Sequence, residues 1–180
     1  MGILEAIWDV MSTETAYTAA TRFAAVLIFV AVGEWVAERA GTLNISVEAM
    51  ILAGAFAGAM GYDWTKNALV GMILGMIAGF LVSLVQAQMS HRLTADQFVV
   101  GLTLNILFLG VTSFLYSEWK PSSRVVSKLE VPLLSEIPLI GKALFGQPWP
   151  FLFLYIIVPF AWWLVYRTRW GLEVRASGEN

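Results

Sequence analysis

The residues able to do polar chemistry are few, and they sit among apolar neighbours. Asn105 lies nine residues into the uncharged run that starts at Gln97. Asn44 and Glu48 flank a short apolar stretch, and Gln86, Gln88 and Gln97 stand near the ends of longer ones. Side-chain amides donate and accept hydrogen bonds without carrying charge, so such a set could line a path for a polar, uncharged solute. Taken singly, each reads more simply as an interhelical bond or a helix cap. Glu48 is the one acid among them, and its place near a segment end suits a proton or ion relay poorly. Chemistry beyond hydrogen bonding finds no support. The sequence contains no HExxH, no GxSxG, no P-loop and no paired intramembrane Asp. The single His, His91, stands beside Arg92 in a polar turn and reads as solvated. With no Cys, disulfides, thiolate metal sites and Cys nucleophiles are excluded. No catalytic residue, metal site or resident cofactor is expected.

What must position these residues follows from composition. The 180 residues are 58% hydrophobic and 13% charged, and mean hydropathy is +0.72. A soluble domain is about a quarter charged. Net charge is −2, so there is no basic surface for nucleic acid. The class is an all-α, polytopic transmembrane helix bundle.

Crossing a bilayer takes about 20 mostly apolar residues. Residues 67–90, 97–117 and 149–166 form charge-free spans, the last starting near Trp149 because of Pro148 and Pro150. Residues 15–33 form a fourth, with Arg22 near one end, where its side chain can snorkel to the interface. Residues 45–62 make a short second segment interrupted by Glu48, either re-entrant or a tilted helix buried among others. The count is five membrane segments. Ahead of them, Ile3, Leu4, Ile7, Trp8 and Met11 share one face of a short helix suited to lying along the membrane surface. Residues 118–147 form an external loop whose apolar pattern over 131–144 suggests an interfacial helix. Residues 167–180 form a cytoplasmic segment.

Small residues recur at helical spacing. Gly71, Gly75 and Gly79 share a face, as do Gly54 and Gly58. Lipid tails are as apolar as Leu, so membrane helices associate by close backbone approach, and these faces read as packing surfaces. Lys and Arg gather on the cytoplasmic side. The first 21 residues hold no Lys or Arg, which places the N-terminus outside; five segments then place Arg167, Arg169 and Arg175 inside. Lys120, Arg124, Lys128 and Lys142 in the outer loop weigh against this. The formal glycosylation sequon Asn44-Ile45-Ser46 abuts a membrane segment on the predicted inner side and is discounted.

Three stretches together carry a resemblance: 38–50 (ERAGTLNISVEAM), 95–105 (ADQFVVGLTLN) and 168–180 (TRWGLEVRASGEN). In this order and spacing the chain resembles the permease subunit of bacterial ABC importers for nucleosides and simple sugars, the branch related to branched-chain amino-acid and ribose permeases. Such permeases usually have Gly at the positions of Ser46 and Ala49. The likeness extends over the N-terminal part of such a permease and stops just before its coupling helix. It implies an inner-membrane protein with a cytoplasmic C-terminal segment. Gly171, Arg175, Gly178 and Glu179 match the approach to the ATPase contact. Asn44, Glu48, Gln97 and Asn105 match motif positions near the translocation core. The implied partners are an ABC ATPase subunit that binds the ATP, a second and different permease subunit, an extracytoplasmic solute-binding protein and the lipid bilayer. Two other classes stay open on residues alone: an ion-coupled secondary transporter and a non-transporting membrane scaffold.

Overall fold

The computed structural model describes Gly2, Glu5, Trp8, 12–121 and 141–179. Regular structure among these residues is helical, without a strand. Helix α1 spans Glu14–Arg39, α2 Val47–Thr65, α3 Ala68–Ala87, α4 Gln97–Glu118, α5 Gly141–Phe145, α6 Leu152–Arg167 and α7 Arg169–Gly178. A π-helical turn, Gln88–Arg92, extends α3, and a 3-10 turn, Trp149–Phe151, leads into α6. The expected surface helix around Ile3 to Met11 and the loop pattern over 131–140 lie outside the described residues.

Local chemistry sets the helix ends. Asn67 caps α3 by accepting from the Leu69 N–H at 2.9 Å. Asp96 caps α4, accepting from Phe98 at 2.9 Å and Val99 at 3.0 Å. Helix α1 runs six residues past Gly33, because no breaker intervenes before Gly41, where φ is 75°. Glu14 in its first turn and Arg39 in its last complement the helix dipole. Helix α2 ends on Lys66, a non-glycine residue in the left-handed region at φ 54°.

Among the described residues, four helical stretches are long and apolar enough to cross a membrane: Glu14–Arg39, Ala68–Arg92, Gln97–Glu118 and Trp149–Arg167. Helix α2 is not among them. It carries Glu48 and Asp63, and much of its length is Ala and Gly. Yet it is one unbroken 19-residue helix; the irregular backbone of this region lies before it, at 41–46.

The chain forms two compact units, Gly41–Val125 and Met1–Ala40 with Val126–Asn180. In the first, α2 packs on α3 and α4. Its core is Ala49, Ala53, Val82, Val100 and Leu104, with Met50, Ala78, Ala95 and Phe108 against it. The α2–α3 contact is glycine on glycine. A Cβ placed on Gly71 would lie 2.7 Å from the Gly58 carbonyl oxygen, and one on Gly75 2.8 Å from that of Gly54. In the second unit, α1 packs with α5, α6 and α7. Large apolar side chains such as Phe23, 75% exposed, and Phe114, 64% exposed, point outward. In a membrane helix that is the lipid-facing arrangement.

Candidate functional site

The amides singled out in the sequence meet around one short piece of backbone. Residues 41–46 are not helical, so their N–H and C=O groups lack the intrahelical partners that a membrane-embedded chain needs. Side chains from α3 and α4 supply them. Gln86 accepts from the Ser46 N–H at 3.1 Å and donates to the Leu43 carbonyl at 3.3 Å. Gln97 accepts from the Leu43 N–H at 2.9 Å. Asn105 accepts from the Ala49 N–H and donates to the Ile45 carbonyl, both at 2.9 Å. The Ser46 hydroxyl donates to Asn44 Oδ1 at 3.1 Å. Asn44 Nδ2 in turn approaches the Met50 sulfur at 3.5 Å.

Three amides thus clamp both sides of the turn that enters α2. Gln86 is buried, while Asn105 and Gln97 are half-buried. Ser46 and Ala49 are fully buried, so only small residues fit there. Gly101 of α4 faces Ile45 so closely that a Cβ at that position would overlap the Ile45 side chain. Glu48, in the first turn of α2, stays exposed. The structure therefore brings Asn44, Gln97 and Asn105 together through this turn and leaves Glu48 at its edge.

The C-terminal candidates occupy the other unit. Thr168 turns the chain from α6 into α7: its hydroxyl donates to the Leu164 carbonyl and accepts from the Gly171 N–H at 3.1 Å. Gly171 is buried beneath the end of α6, where a Cβ would overlap the carbonyl oxygens of Leu164 and Val165. Gly171 thus sets the α6–α7 corner. Arg175 folds back rather than reaching outward. Its Nε donates to the Gly171 carbonyl at 3.3 Å, and its guanidinium lies 5.2 Å from the centre of the Tyr166 ring. Arg39 approaches the same ring at 5.8 Å, and Trp35 and Trp162 pack beside it. Gly178 and Glu179, at the end of α7, are exposed. The sequence 168–180 was expected to approach a coupling helix, and α7 shows that most of it is helical already.

Two residues carry more of the architecture than their sequence context signals. Gln86 was one amide among several, and only its partners 40 and 43 positions away reveal the clamp. Gln147 falls in a loop and had no signal at all, yet it is 1% exposed and organises Arg22.

The chain matches the family described as branched-chain amino acid transport system, permease component, over residues 17–180. It is similar to a protein of Haloferax volcanii named for glucose ABC transport, the permease TsgC13. Identity there is 33%, covering 90% of this chain and 51% of that protein. It is similar to the nucleoside ABC transporter permease NupC of Lactococcus lactis, at 32% identity over 86% of this chain and 52% of that protein. It is also similar to the guanosine ABC transporter permease NupQ of Bacillus subtilis, at 30% identity over 88% of this chain and 54% of that protein. The chain spans about half the length of the curated relatives it matches. No solved structure matches it significantly. A match over more than nine-tenths of its residues settles the family: this multi-pass membrane chain belongs to the permease components of the branched-chain amino acid transport type.

Proposed function

We propose that the chain forms the first part of a permease subunit in an ABC importer that moves a nucleoside or simple sugar across the inner membrane. The observation that carries this is its likeness, along nearly its whole length, to permeases named for nucleoside, guanosine and glucose transport. In this reading the N-terminus faces outside and residues 167–180 face the cytoplasm. An extracytoplasmic binding protein delivers the solute. A second, different permease subunit completes the pathway. ATP binds to the partner ATPase, and this chain performs no hydrolysis.

The pathway borders the clamped turn. Asn44, Gln97 and Asn105 shape its wall through the backbone they hold, and Glu48 stands at its edge. Exposed Gly178 and Glu179 form the approach to the ATPase, with Gly171 and Arg175 holding the corner behind them. Closure of the ATPases moves α7, and the corner built on Thr168 and Gly171 transmits that movement to α6. A rigid corner suits this role, because a flexible one would absorb the displacement instead of passing it on.

The test is uptake of labelled guanosine, uridine and glucose by cells carrying the gene's whole product with its partners, against a strain lacking it. Accumulation of one of these solutes that disappears in the deletion strain, and also when the ATPase nucleotide site is disabled, is the expected result. Equal uptake in all strains would remove the importer reading.

A further inference from the structure

The unit built from α1, α5, α6 and α7 holds a cavity of about 580 Å³ at the N-terminal end of α1, which the pathway reading does not use. Glu14, Thr15, Thr18, Arg22, Lys142 and Gly146 line it. Arg22 is the unusual member. It lies eight residues into a membrane-spanning helix, about 12 Å along the axis from Glu14. A guanidinium at that depth is costly without a counter-charge.

No acid lies within ion-pairing distance of Arg22 among the described residues: the only ion pairs there are Lys66–Asp63 and Lys142–Glu14, the latter at 3.1 Å. What holds Arg22 is neutral. Its Nε donates to Gln147 Oε1 at 3.1 Å. Gln147 is itself locked, donating to the Ala143 carbonyl at 2.8 Å and the Thr18 carbonyl at 3.4 Å. A buried amide with its own bonds complete therefore aims one edge of the guanidinium and leaves the forked end uncommitted. Summed over Glu14, Arg22 and Lys142, the cavity wall carries one net positive charge.

We propose that this cavity binds the phosphodiester of an anionic phospholipid headgroup, with Arg22 as its fork and the Thr15 hydroxyl beside it; the Thr18 hydroxyl is already committed to the Glu14 carbonyl at 2.8 Å. Guanidinium and phosphate match in charge and in paired hydrogen-bond geometry. The side chain can reach the headgroup layer, because a long arginine below the interface snorkels toward it and meets the phosphate there. Phe23, also on the wall, supplies an apolar surface for the start of the acyl chains.

The experiment uses the gene's whole product with its partners, purified in detergent. Thermal unfolding is followed with added phosphatidylglycerol, with phosphatidylcholine and with inorganic phosphate. Native mass spectrometry counts retained lipid. Phosphatidylglycerol is expected to raise the melting temperature of the parent protein, with phosphatidylcholine and inorganic phosphate doing little. Arg22→Gln weakens lipid retention roughly tenfold, the loss of a charge-assisted pair, and Arg22→Lys keeps part of it. Glu14→Gln frees Lys142 and strengthens retention, a gain that misfolding cannot mimic. Equal retention in the parent, Arg22→Gln and Glu14→Gln proteins would overturn the proposal. Equal protection by inorganic phosphate would overturn the lipid assignment, making the ligand a soluble anion.

Discussion

Gly71→Ala lowers the stability of the protein by about 1–3 kcal/mol, the usual cost of overpacking, although alanine is the better helix former. On an isolated helix the change would gain up to about 1 kcal/mol. Sterics at the α2–α3 contact reverse the sign. The new methyl would meet the Gly58 carbonyl at 2.7 Å, and because that atom is backbone, relief requires the two helices to move apart. Membrane helices have no hydrophobic drive to hold them together, so a lost close approach is not recovered elsewhere. Gly75→Ala behaves alike, at 2.8 Å from the Gly54 carbonyl. Gly54→Ala and Gly58→Ala, at 3.1 and 3.3 Å, cost less, and Gly79→Ala, at 3.6 Å, is tolerated. Gly33 and Gly110 have open space around them, and alanine there is neutral or stabilising. Melting temperatures in one detergent across the series test this ranking. A uniform gain from alanine at every position would show that the glycine faces are not in contact.

Asn105→Leu destabilises the turn at 43–49 by about 2–4 kcal/mol and, in the proposed importer, strongly reduces solute uptake. The leucine keeps the branched shape, though it is bulkier, and removes both bonds, leaving the Ala49 N–H and the Ile45 carbonyl without partners in a low-dielectric setting. Each orphaned group costs about 1–3 kcal/mol. Polar bonds between membrane helices measure at the low end of such ranges, which keeps the total below the simple sum. Asn105→Asp separates the two halves of the clamp. It keeps the acceptor for Ala49 and turns the donor facing Ile45 into a second oxygen, so the Ile45 side fails first. Hydrogen exchange gives the readout: the Ala49 amide exchanges faster in Asn105→Leu and stays protected in Asn105→Asp. Unchanged protection of Ala49 in the leucine variant would contradict the clamp.

How much of this was legible in the sequence depends on whether the cause was local. The uncharged runs located α3, α4 and α6 to within about three residues, because Asn67 and Asp96 cap where the charges or turn residues stop. The end of α1 was placed early, at Gly33. Glu34, Glu38 and Arg39 break the apolar run, but they are sound helix formers, and the helix ends only beside Gly41. The four-residue spacing of the glycines marked two faces without saying that they meet, since spacing carries no information about the partner. The amides show the same limit. Asn105 and Ile45 are 60 positions apart, and nothing near either one announces the other. Polar residues in apolar runs stood out in the sequence without naming their partners. That they serve the backbone of an irregular turn follows only from the fold.

If the pathway borders this turn, Glu48 at its exposed edge reports on it. The chain has no Cys, so Glu48→Cys is its sole thiol. The assembled transporter, with any thiols of its other segments and partners replaced, is treated with a membrane-impermeant thiol reagent, with and without ATP and with and without the transported solute. The labelling rate at position 48 is expected to change between ATP-free and ATP-bound states and to fall when solute is present. A rate indifferent to both would place the pathway elsewhere and leave the amide clamp as architecture alone.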